Sequence, residues 1–382
     1  MNPLDASPLR WVVLAAGIVM AAYAWQTRHP NTSSDFTILY NSALRPPAQM
    51  YQRPPGPPRG NLNPPHFQLL IVPLTWLPLP IAAAVWRTLN VLALAACVWW
   101  LARHSEEKWG AADIGALLAW SPMQSALGLN QVTWIMWPLL IWAWWCWRQD
   151  RWTAGAITYG LALSFKSFLG VFLVWLALRR QWRAIATAIA TAVAALAVGV
   201  LVYGVDVFRA WLAGVAGVEW SYAVMNASLR GVLARTLTSS GTAGAPLALR
   251  PGLVTPVFVA GAAVILVVTF VRTRRASVDE SWPALVAGAL LASPLGWLYY
   301  IWWMLPGTRP SRVLFAAPLL WVPMVCAMWG QPSPWATLTI GSVFFWGLLV
   351  AWLGFVRNGV GRVGPVDTRQ VVERDAYSPA IR

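Results

Sequence analysis

Long apolar runs, separated by short polar breaks, repeat along almost the whole chain. Most runs contain about 15–22 residues, which is the length that a helix needs to cross the roughly 30 Å hydrocarbon core of a bilayer. The pattern predicts an all-α, polytopic integral membrane protein with about eleven to twelve transmembrane helices. We expect these helices near residues 10–26, 78–102, 112–128, 131–147, 152–164, 168–178, 184–203, 253–271, 282–294, 297–308, 313–329 and 335–356.

Two pairs of predicted helices are short for a straight crossing. The limbs within 152–178 and 282–308 have only about 11–13 residues each, against the roughly 20 that a span requires. Lipid offers no hydrogen-bond partners to a free backbone group. Short segments of this kind must therefore line a cavity or lie buried in protein.

The placement of arginine predicts which side of the membrane each loop and each terminus faces. Every second break is basic, as with Arg103 after the second predicted helix and Arg148 after the fourth, and the breaks between them are nearly uncharged. Because short cytoplasmic loops retain Lys and Arg, both termini are expected in the cytoplasm. Two long segments, about 27–77 and 204–252, then lie on the outer side of the plasma (inner) membrane. The remaining boundary separates a single transmembrane domain, 1–356, from a polar cytoplasmic tail, 357–382.

Composition and charge agree with a membrane location. Of the 382 residues, 58% are hydrophobic and 11% are charged, and the mean hydropathy is +0.55. A soluble domain has about 25% charged residues, so this chain lacks the polar surface to cover itself in water. The net charge of +15 comes from loops between spans, where anionic lipid heads are the natural partners. We therefore expect membrane lipids, and not nucleic acid, as the partner of the basic residues.

Tryptophan and cysteine add two expectations. Many of the 28 tryptophans lie near the ends of apolar runs, as in 142–147 and at Trp302, which is typical of a belt at the membrane interface. The three cysteines, Cys97, Cys146 and Cys326, lie inside or beside apolar runs without a CxxC pair. They read as core thiols and not as a disulfide framework or a metal site.

Asp35 is the first candidate for chemistry. It follows the first predicted helix in SSDFTILYNSAL, on the outer side, where a carboxylate is suited to take a proton from a hydroxyl group. Capping of a helix over 36–44 is the alternative role. His66 stands where the chain re-enters an apolar run after a stretch rich in Pro and Gly, and it is either structural or a catalytic or binding residue.

Lys166 is the second candidate. It interrupts the apolar sequence ALSFKSFLG and is one of only two lysines in the chain. An ionisable residue at membrane depth is a functional hypothesis by default, and its ammonium group suits a lipid phosphate. Its alternative role is to snorkel to the interface.

Polar residues elsewhere on the predicted outer side complete the set. Asn130 and Gln131 form a tight turn and could also bind a polar substrate. Asn226, Arg230 and Arg235 lie in MNASLRGVLART, whose apolar spacing predicts an amphipathic helix on the membrane surface. The two arginines could bracket a phosphate or simply meet ordinary lipid heads.

Tyr299 and Tyr300 offer hydroxyl groups near the same predicted face, although the sequence favours aromatic packing as their role. The sequence contains no P-loop, no GxGxxG and no metal-ligand cluster, so we expect neither a cofactor nor a metal. An internal repeat, which is frequent in transporters, is also not visible.

Taken in order, several segments resemble glycosyltransferase family 87, integral membrane mannosyltransferases of the GT-C type. The resemblance covers roughly residues 10–310. The segments that carry it are SDFTILYNSA, MYQ…NPPHFQLLIVPLTWLP, LGLNQVTW, LALSFKSFLGVFLVWLALRRQWRA, NASLRGVLAR and SPLGWLYYIWWMLPG.

The resemblance implies a polyprenyl-phosphate sugar donor, usually of mannose, and transfer with inversion to a hydroxyl group of a lipid or glycan acceptor at the outer face. It implies that Asp35 is the base, that Lys166 matches the lysine between short helices, and that Asn226, Ser228 and Arg235 match an Asn-x-Ser…Arg segment. A transferase for another lipid-linked sugar and a lipid or solute transporter are the alternatives.

The chain also departs from the family pattern. Asn130 stands where the family often has Gly, Ala227 where it often has Gln, and Tyr299 and Tyr300 where it often has paired histidines. The tyrosine pair leaves the identities of the sugar and the acceptor open.

Overall fold

The computed structural model describes residues 8–26, 35–52, 60–105, 108–218, 220–239, 245–328 and 333–358. Within these ranges the backbone is helical or irregular, and the β-type pairing found there is one antiparallel bridge between Asn226 and Trp297. The α-helices are α1 (Leu9–Gln26), α2 (Asp35–Ala43), α3 (Pro65–Gln68), α4 (Leu79–His104), α5 (Ala111–Ala119), α6 (Ser121–Gly128), α7 (Thr133–Arg148), α8 (Trp152–Phe165), α9 (Val171–Leu178), α10 (Trp182–Tyr203), α11 (Val205–Ala216), α12 (Leu229–Leu237), α13 (Pro251–Thr273), α14 (Val278–Ala292), α15 (Pro310–Ala316), α16 (Met324–Met328), α17 (Pro334–Leu338) and α18 (Val343–Asn358).

In the part of the chain that the structure describes, four helical segments are long and apolar enough to cross a bilayer. They are Leu79–His104, Trp182–Tyr203, Pro251–Thr273 and Pro334–Arg357. Large aliphatic side chains on these segments, such as Leu201 and Val264, are exposed in the isolated chain, as expected of surfaces that face lipid. The prediction of an all-α polytopic membrane protein is therefore confirmed, while the total of about eleven to twelve crossings stays a prediction.

Proline breaks two of the predicted helices. The helix expected at 112–128 divides at Trp120 into α5 and α6, with Pro122 in the first turn of α6. The helix expected at 313–329 divides at Pro318 and Pro323 into α15, a 3₁₀ turn and α16. Proline has no N–H and clashes with the preceding turn, so it is tolerated at a helix start and kinks or ends a helix elsewhere.

The prediction of an α-helix over 297–308 was wrong, because Leu298–Met304 forms a 3₁₀ helix whose seven residues are all buried. The preceding residues pair with the backbone near Asn226, and Gly307, with φ of 83°, ends the segment.

Both long segments between helices contain regular structure. The first holds α2, α3 and 3₁₀ turns at Pro47–Gln49 and Val72–Trp76. The second holds α11 and α12, and α12 does not lie on the surface as the amphipathic pattern suggested. Its residues Val232, Ala234 and Arg235 are buried, because the helix packs against α13 and α17.

Tryptophan forms much of the core, so the prediction of an interfacial belt was wrong for many of these residues. Those among the fully buried side chains are Trp86, Trp120, Trp137, Trp144, Trp147, Trp175, Trp282, Trp302 and Trp303. Several indole N–H groups are satisfied inside the protein, as between Trp282 Nε1 and the Trp303 carbonyl oxygen at 3.0 Å. Trp99 and Trp142, by contrast, are 52% and 42% exposed.

Cys97 and Cys146 are buried free thiols, as expected.

Helices α1 and α5 cross in close contact through glycine. A Cβ atom added to Gly17 would lie 2.3 Å from the carbonyl oxygen of Gly115, so only hydrogen fits at this crossing. Small residues allow such an approach between membrane helices, where van der Waals packing replaces the hydrophobic effect as the driving force.

We expect Gly17→Ala to destabilise the protein by about 1–3 kcal/mol, because the added methyl group overpacks the crossing. Gly354→Ala is the matched control: this helical glycine has no atom within 4 Å of an added Cβ, and alanine is the better helix former. The measurement is the Tm of each variant in detergent. Equal Tm values for the two variants would contradict the close crossing.

Candidate functional site

A cavity of about 180 Å³ lies where several breaks between helices meet. We call it the polar cavity because its lining, although largely apolar, includes a carboxylate, an ammonium group, amides and phenols. Its walls come from the start of α2, the segment 60–63, the turn after α6, the break after α8, and the segments 220–225 and 297–300. The polar and aromatic side chains that line it are Asp35, Asn61, Asn63, Gln131, Lys166, Trp220, Trp297, Tyr299 and Tyr300.

Asp35 is the first residue of α2, so its carboxylate lies at a helix N-terminus. The partial positive charge of that terminus favours a carboxylate in this position. Its backbone N–H donates to the carbonyl oxygen of Leu129 at 3.0 Å, and its carboxylate accepts a hydrogen bond from Gln131 Nε2. These contacts tie the half-buried acid to the turn that follows α6.

That turn depends on Asn130, which adopts φ of 52°, a left-handed conformation that Asn tolerates better than most residues. Trp86 Nε1 donates to the Asn130 carbonyl oxygen at 3.0 Å, and Arg87 Nε donates to Asn130 Oδ1 at 3.0 Å. Of the two predicted binding residues, Gln131 therefore lines the cavity, whereas Asn130 shapes the turn that directs it.

Lys166 lies between α8 and the 3₁₀ turn at Ser167–Gly170. Its Nζ donates to Asn63 Oδ1 at 2.8 Å and lies 5.2 Å from the centre of the Tyr300 ring. Burial lowers the pKa of Lys166 to about 8, and the negative charge of Asp35 acts in the opposite direction. The ammonium group is thus held in place beside the polar cavity.

Tyr299 and Tyr300 meet edge to face with ring centres 4.7 Å apart, and both are buried. Burial raises the pKa of both phenols, with the Asp35 charge adding to the effect, so both hydroxyl groups stay protonated. Trp297 stacks on Tyr299 at 6.1 Å and on Trp220 at 5.2 Å. This side of the cavity is a continuous aromatic wall.

A second, larger cavity of about 460 Å³ adjoins the first. The two share Leu62, Lys166, Trp297 and Tyr300. The lining of the second is mainly apolar and includes Phe165, Phe168, Val171, Val174, Trp211, Val215, Leu266, Phe270, Ala289 and Ala292. Lys166 therefore stands at the boundary between a polar and an apolar space.

Two other predicted residues lie away from the polar cavity. The Nε2 atom of His66 is 3.0 Å from Ser164 Oγ, and its ring stacks on Phe165 at 5.2 Å. Burial lowers the pKa of His66 to about 4, so the ring is neutral at physiological pH. The guanidinium of Arg230 lies over the ring of Phe258 at 5.8 Å.

Asn226 and Arg235 are also absent from the lining. Both are fully buried and bond backbone groups of the neighbouring segments, as when Arg235 Nη1 donates to the Ala223 carbonyl oxygen at 2.8 Å. The structure thus brings together five of the predicted residues, and these are Asp35, Gln131, Lys166, Tyr299 and Tyr300.

Four of the polar and aromatic lining residues were not singled out in the sequence. Asn63 directly precedes Pro64 and begins the segment NPPHFQ, and Asn61 lies two residues before it. The available signal was this pair of asparagines beside a segment that resembles the family. Trp220 and Trp297 carried no local signal, because an indole near the end of an apolar run has the same pattern in a cavity as at the membrane interface.

Comparison with known proteins gives one positive result. Searches of curated proteins and of solved structures yield no match. A family model described as glycosyltransferase family 87 matches residues 61–295, more than half of the chain, and this range includes Gln131 and Lys166. The chain therefore belongs to glycosyltransferase family 87.

Proposed function

We propose that this membrane glycosyltransferase moves one sugar, with mannose as the first candidate, from a polyprenyl-phosphate donor to a hydroxyl group of a lipid or glycan acceptor, with inversion. The observation that carries the proposal is that Lys166 lies between two cavities of different character. A polar cavity with a carboxylate lies on one side and a larger apolar cavity on the other. A sugar, a phosphate and an isoprenoid chain follow one another in the same order.

Asp35 acts as the general base. Of the described residues that line either cavity, it alone carries a carboxylate. The acceptor oxygen forms a bond to the anomeric carbon while its proton passes to Asp35. The bond from the anomeric carbon to the phosphate oxygen breaks on the opposite face, and its electron pair leaves with the phosphate.

Lys166 binds the phosphate at the boundary of the two cavities. Negative charge grows on the phosphate as it leaves, so a positive group held beside it stabilises the transition state more than the ground state. The neutral hydroxyl groups of Tyr299 and Tyr300 can donate hydrogen bonds to the sugar or the phosphate. A cavity of about 180 Å³ is smaller than the roughly 300–1,000 Å³ of drug-sized sites, which favours one sugar residue at a time.

The apolar cavity takes the start of the polyprenyl chain. Its lining of aromatic and branched side chains buries hydrocarbon, at about 25 cal/mol for each Å² removed from water. With both termini in the cytoplasm, as the arginine pattern predicts, the polar cavity opens toward the outer face of the plasma membrane. Residues 1–356 then form the transmembrane unit.

Replacement of Asp35 by Asn should lower transfer by about 10²–10⁴-fold, because the amide cannot accept the proton. The matched control is Asp206→Asn, which removes an exposed carboxylate that pairs with Arg209 on α11. The measurement is transfer of radiolabel from polyprenyl-phosphate mannose to a membrane-lipid extract by purified protein in lipid.

Equal transfer by the wild type and Asp35→Asn would remove Asp35 from the mechanism. Transfer from a different lipid-linked sugar would correct the donor sugar alone. Absence of transfer from every lipid-linked sugar, with movement of lipid between leaflets instead, would favour a transporter.

The affinity for polyprenyl phosphate should fall as the pH rises above about 8. Protonated Lys166 binds the anion and the neutral amine does not, so affinity is full below the pKa and decreases by up to about tenfold per pH unit above it. Lys166→Arg should remain independent of pH to about pH 10, because guanidinium keeps its proton. Lys166→Met should bind weakly at every pH. A wild-type curve parallel to that of Lys166→Arg would contradict this assignment.

Ala292→Trp should weaken binding of long-chain polyprenyl phosphate, because the indole fills the apolar cavity that Ala292 lines. A water-soluble phosphate with a two-carbon chain should bind this variant and the wild type equally. The control is Ala84→Trp, which adds the same indole to an exposed position on α4. Equal loss of affinity for long and short chains, measured by titration in nanodiscs, would place the chain elsewhere.

A further inference from the structure

We propose that Asn226 and Arg235 are positioning residues, which hold the aromatic wall of the polar cavity through the backbone and never touch the substrate. We further propose that Ser342, beyond the family match, anchors Arg235 and so connects the C-terminal helices to the site. The catalytic consequence rests on the proposed transferase function, but the structural claim can be tested without it.

The residues of the aromatic wall lie on two stretches of backbone, 220–227 and 294–300, that are far apart in the sequence. Residues 225–227 run antiparallel to 296–298, with Ala227 N donating to the Gly296 oxygen and Leu298 N to the Met225 oxygen, each at 2.8 Å. Trp297 lies in the second of these segments, and Trp220 lies in the 3₁₀ turn Trp220–Tyr222 that leads into the first. Their stacked rings line the cavity. The position of one indole therefore depends on the position of the other.

Asn226 joins the two segments with both ends of its amide. Its Nδ2 donates to the carbonyl oxygens of Ser221 at 2.8 Å and Pro294 at 3.0 Å. Its Oδ1 accepts from the N–H groups of Gly296 at 3.0 Å and Ser228 at 3.2 Å. The side chain is fully buried, so its four hydrogen bonds serve the protein and not a ligand.

Arg235 holds the backbone of the 223–226 segment through hydrogen bonds to its carbonyl oxygens. Nη1 donates to the carbonyl oxygens of Ala223 at 2.8 Å and Asn226 at 3.0 Å, and Nε donates to Ser342 Oγ at 3.1 Å. It has no carboxylate partner in the described part of the chain. A buried cation without a counter-ion is costly, and here the carbonyl oxygens bonded by Nη1 offset part of its charge, whereas Nη2 is buried without a hydrogen-bond partner among the described residues.

Ser342 links this arrangement to the last helices. Its hydroxyl accepts from Arg235 and donates to the Thr337 carbonyl oxygen at 2.9 Å, so it ties α12 to the junction of α17 and α18. The family match ends at residue 295, which places this support outside it. A shift of the wall would move Trp297 and the tyrosines that follow it relative to Asp35, and errors of about 1 Å in such geometry can lower rates about 10²-fold.

The experiment compares hydrogen–deuterium exchange in the wild type, Arg235→Lys and Ser342→Ala. Arg209→Lys is the matched control, because Arg209 is exposed and pairs only locally with Asp206. A lysine carries its donors on one nitrogen, whereas the guanidinium reaches the two carbonyls from Nη1 and the hydroxyl from Nε. We expect exchange of the 225–228 and 296–298 amides to increase on the order of tenfold in Arg235→Lys, and less in Ser342→Ala. Exchange in α10 and the Tm should match the control.

The second readout is transfer from polyprenyl-phosphate mannose, with kcat expressed per donor-binding site so that unfolded protein is not counted. We expect kcat to fall at least tenfold in Arg235→Lys while KM for the donor stays within about twofold. Unchanged exchange in both variants, or faster exchange throughout the protein, would contradict the claim that Arg235 and Ser342 hold the aromatic wall. Faster local exchange with unchanged kcat would overturn its positioning role. Absence of transfer by the wild type would refute the proposed function. The exchange data alone would then test whether Arg235 and Ser342 hold the aromatic wall.

Discussion

Every interruption of a helix in an apolar protein exposes backbone groups that lipid cannot satisfy, at several kcal/mol for each unpaired group. In this chain two of the interruptions that surround the polar cavity have side-chain partners for their carbonyl groups. Trp86 Nε1 donates to the Asn130 carbonyl oxygen, and Arg87 Nε donates to the Asn130 side chain. Arg235 donates to carbonyl oxygens of the loop before α12. The cavity exists because these satisfied interruptions meet at one place, which leaves side chains free to face inward.

The same constraint determines which charges can remain inside. Asp35 lies at a helix N-terminus and accepts from Gln131, whereas Lys166 bonds Asn63 and faces the Tyr300 ring. Each charged group thus has neutral partners and an opposite charge nearby, so neither depends on bulk water. An anionic ligand at the boundary of the two cavities would complete the arrangement by giving the ammonium group a close counter-charge.

The apolar runs predicted most helices of the fold, because run length and hydrophobicity are local properties. Lys166 was also recognisable, because it is one of only two lysines and interrupts an apolar sequence. Asp35 and the tyrosine pair were recognisable as polar groups on the predicted outer side. The break at Trp120 had a local signal in Pro122, which a hydropathy pattern does not register. The burial of α12 depends on which segments meet, and a periodic pattern does not contain that information. Asn226 and Arg235 show a further difficulty: a polar residue that bonds the backbone and one that bonds a ligand look alike in a sequence.

The tryptophan core affects how this protein can be observed by optical methods. Indole emission from membrane proteins is commonly taken to report the depth of a residue in the bilayer, on the assumption that indoles contact lipid. Trp144, Trp147 and Trp282 are surrounded by protein, so a quencher attached to acyl chains would reach them far less than it reaches Trp99 or Trp142. Blue-shifted, unquenched fluorescence from this chain would therefore measure the integrity of its interior and not its depth in the membrane.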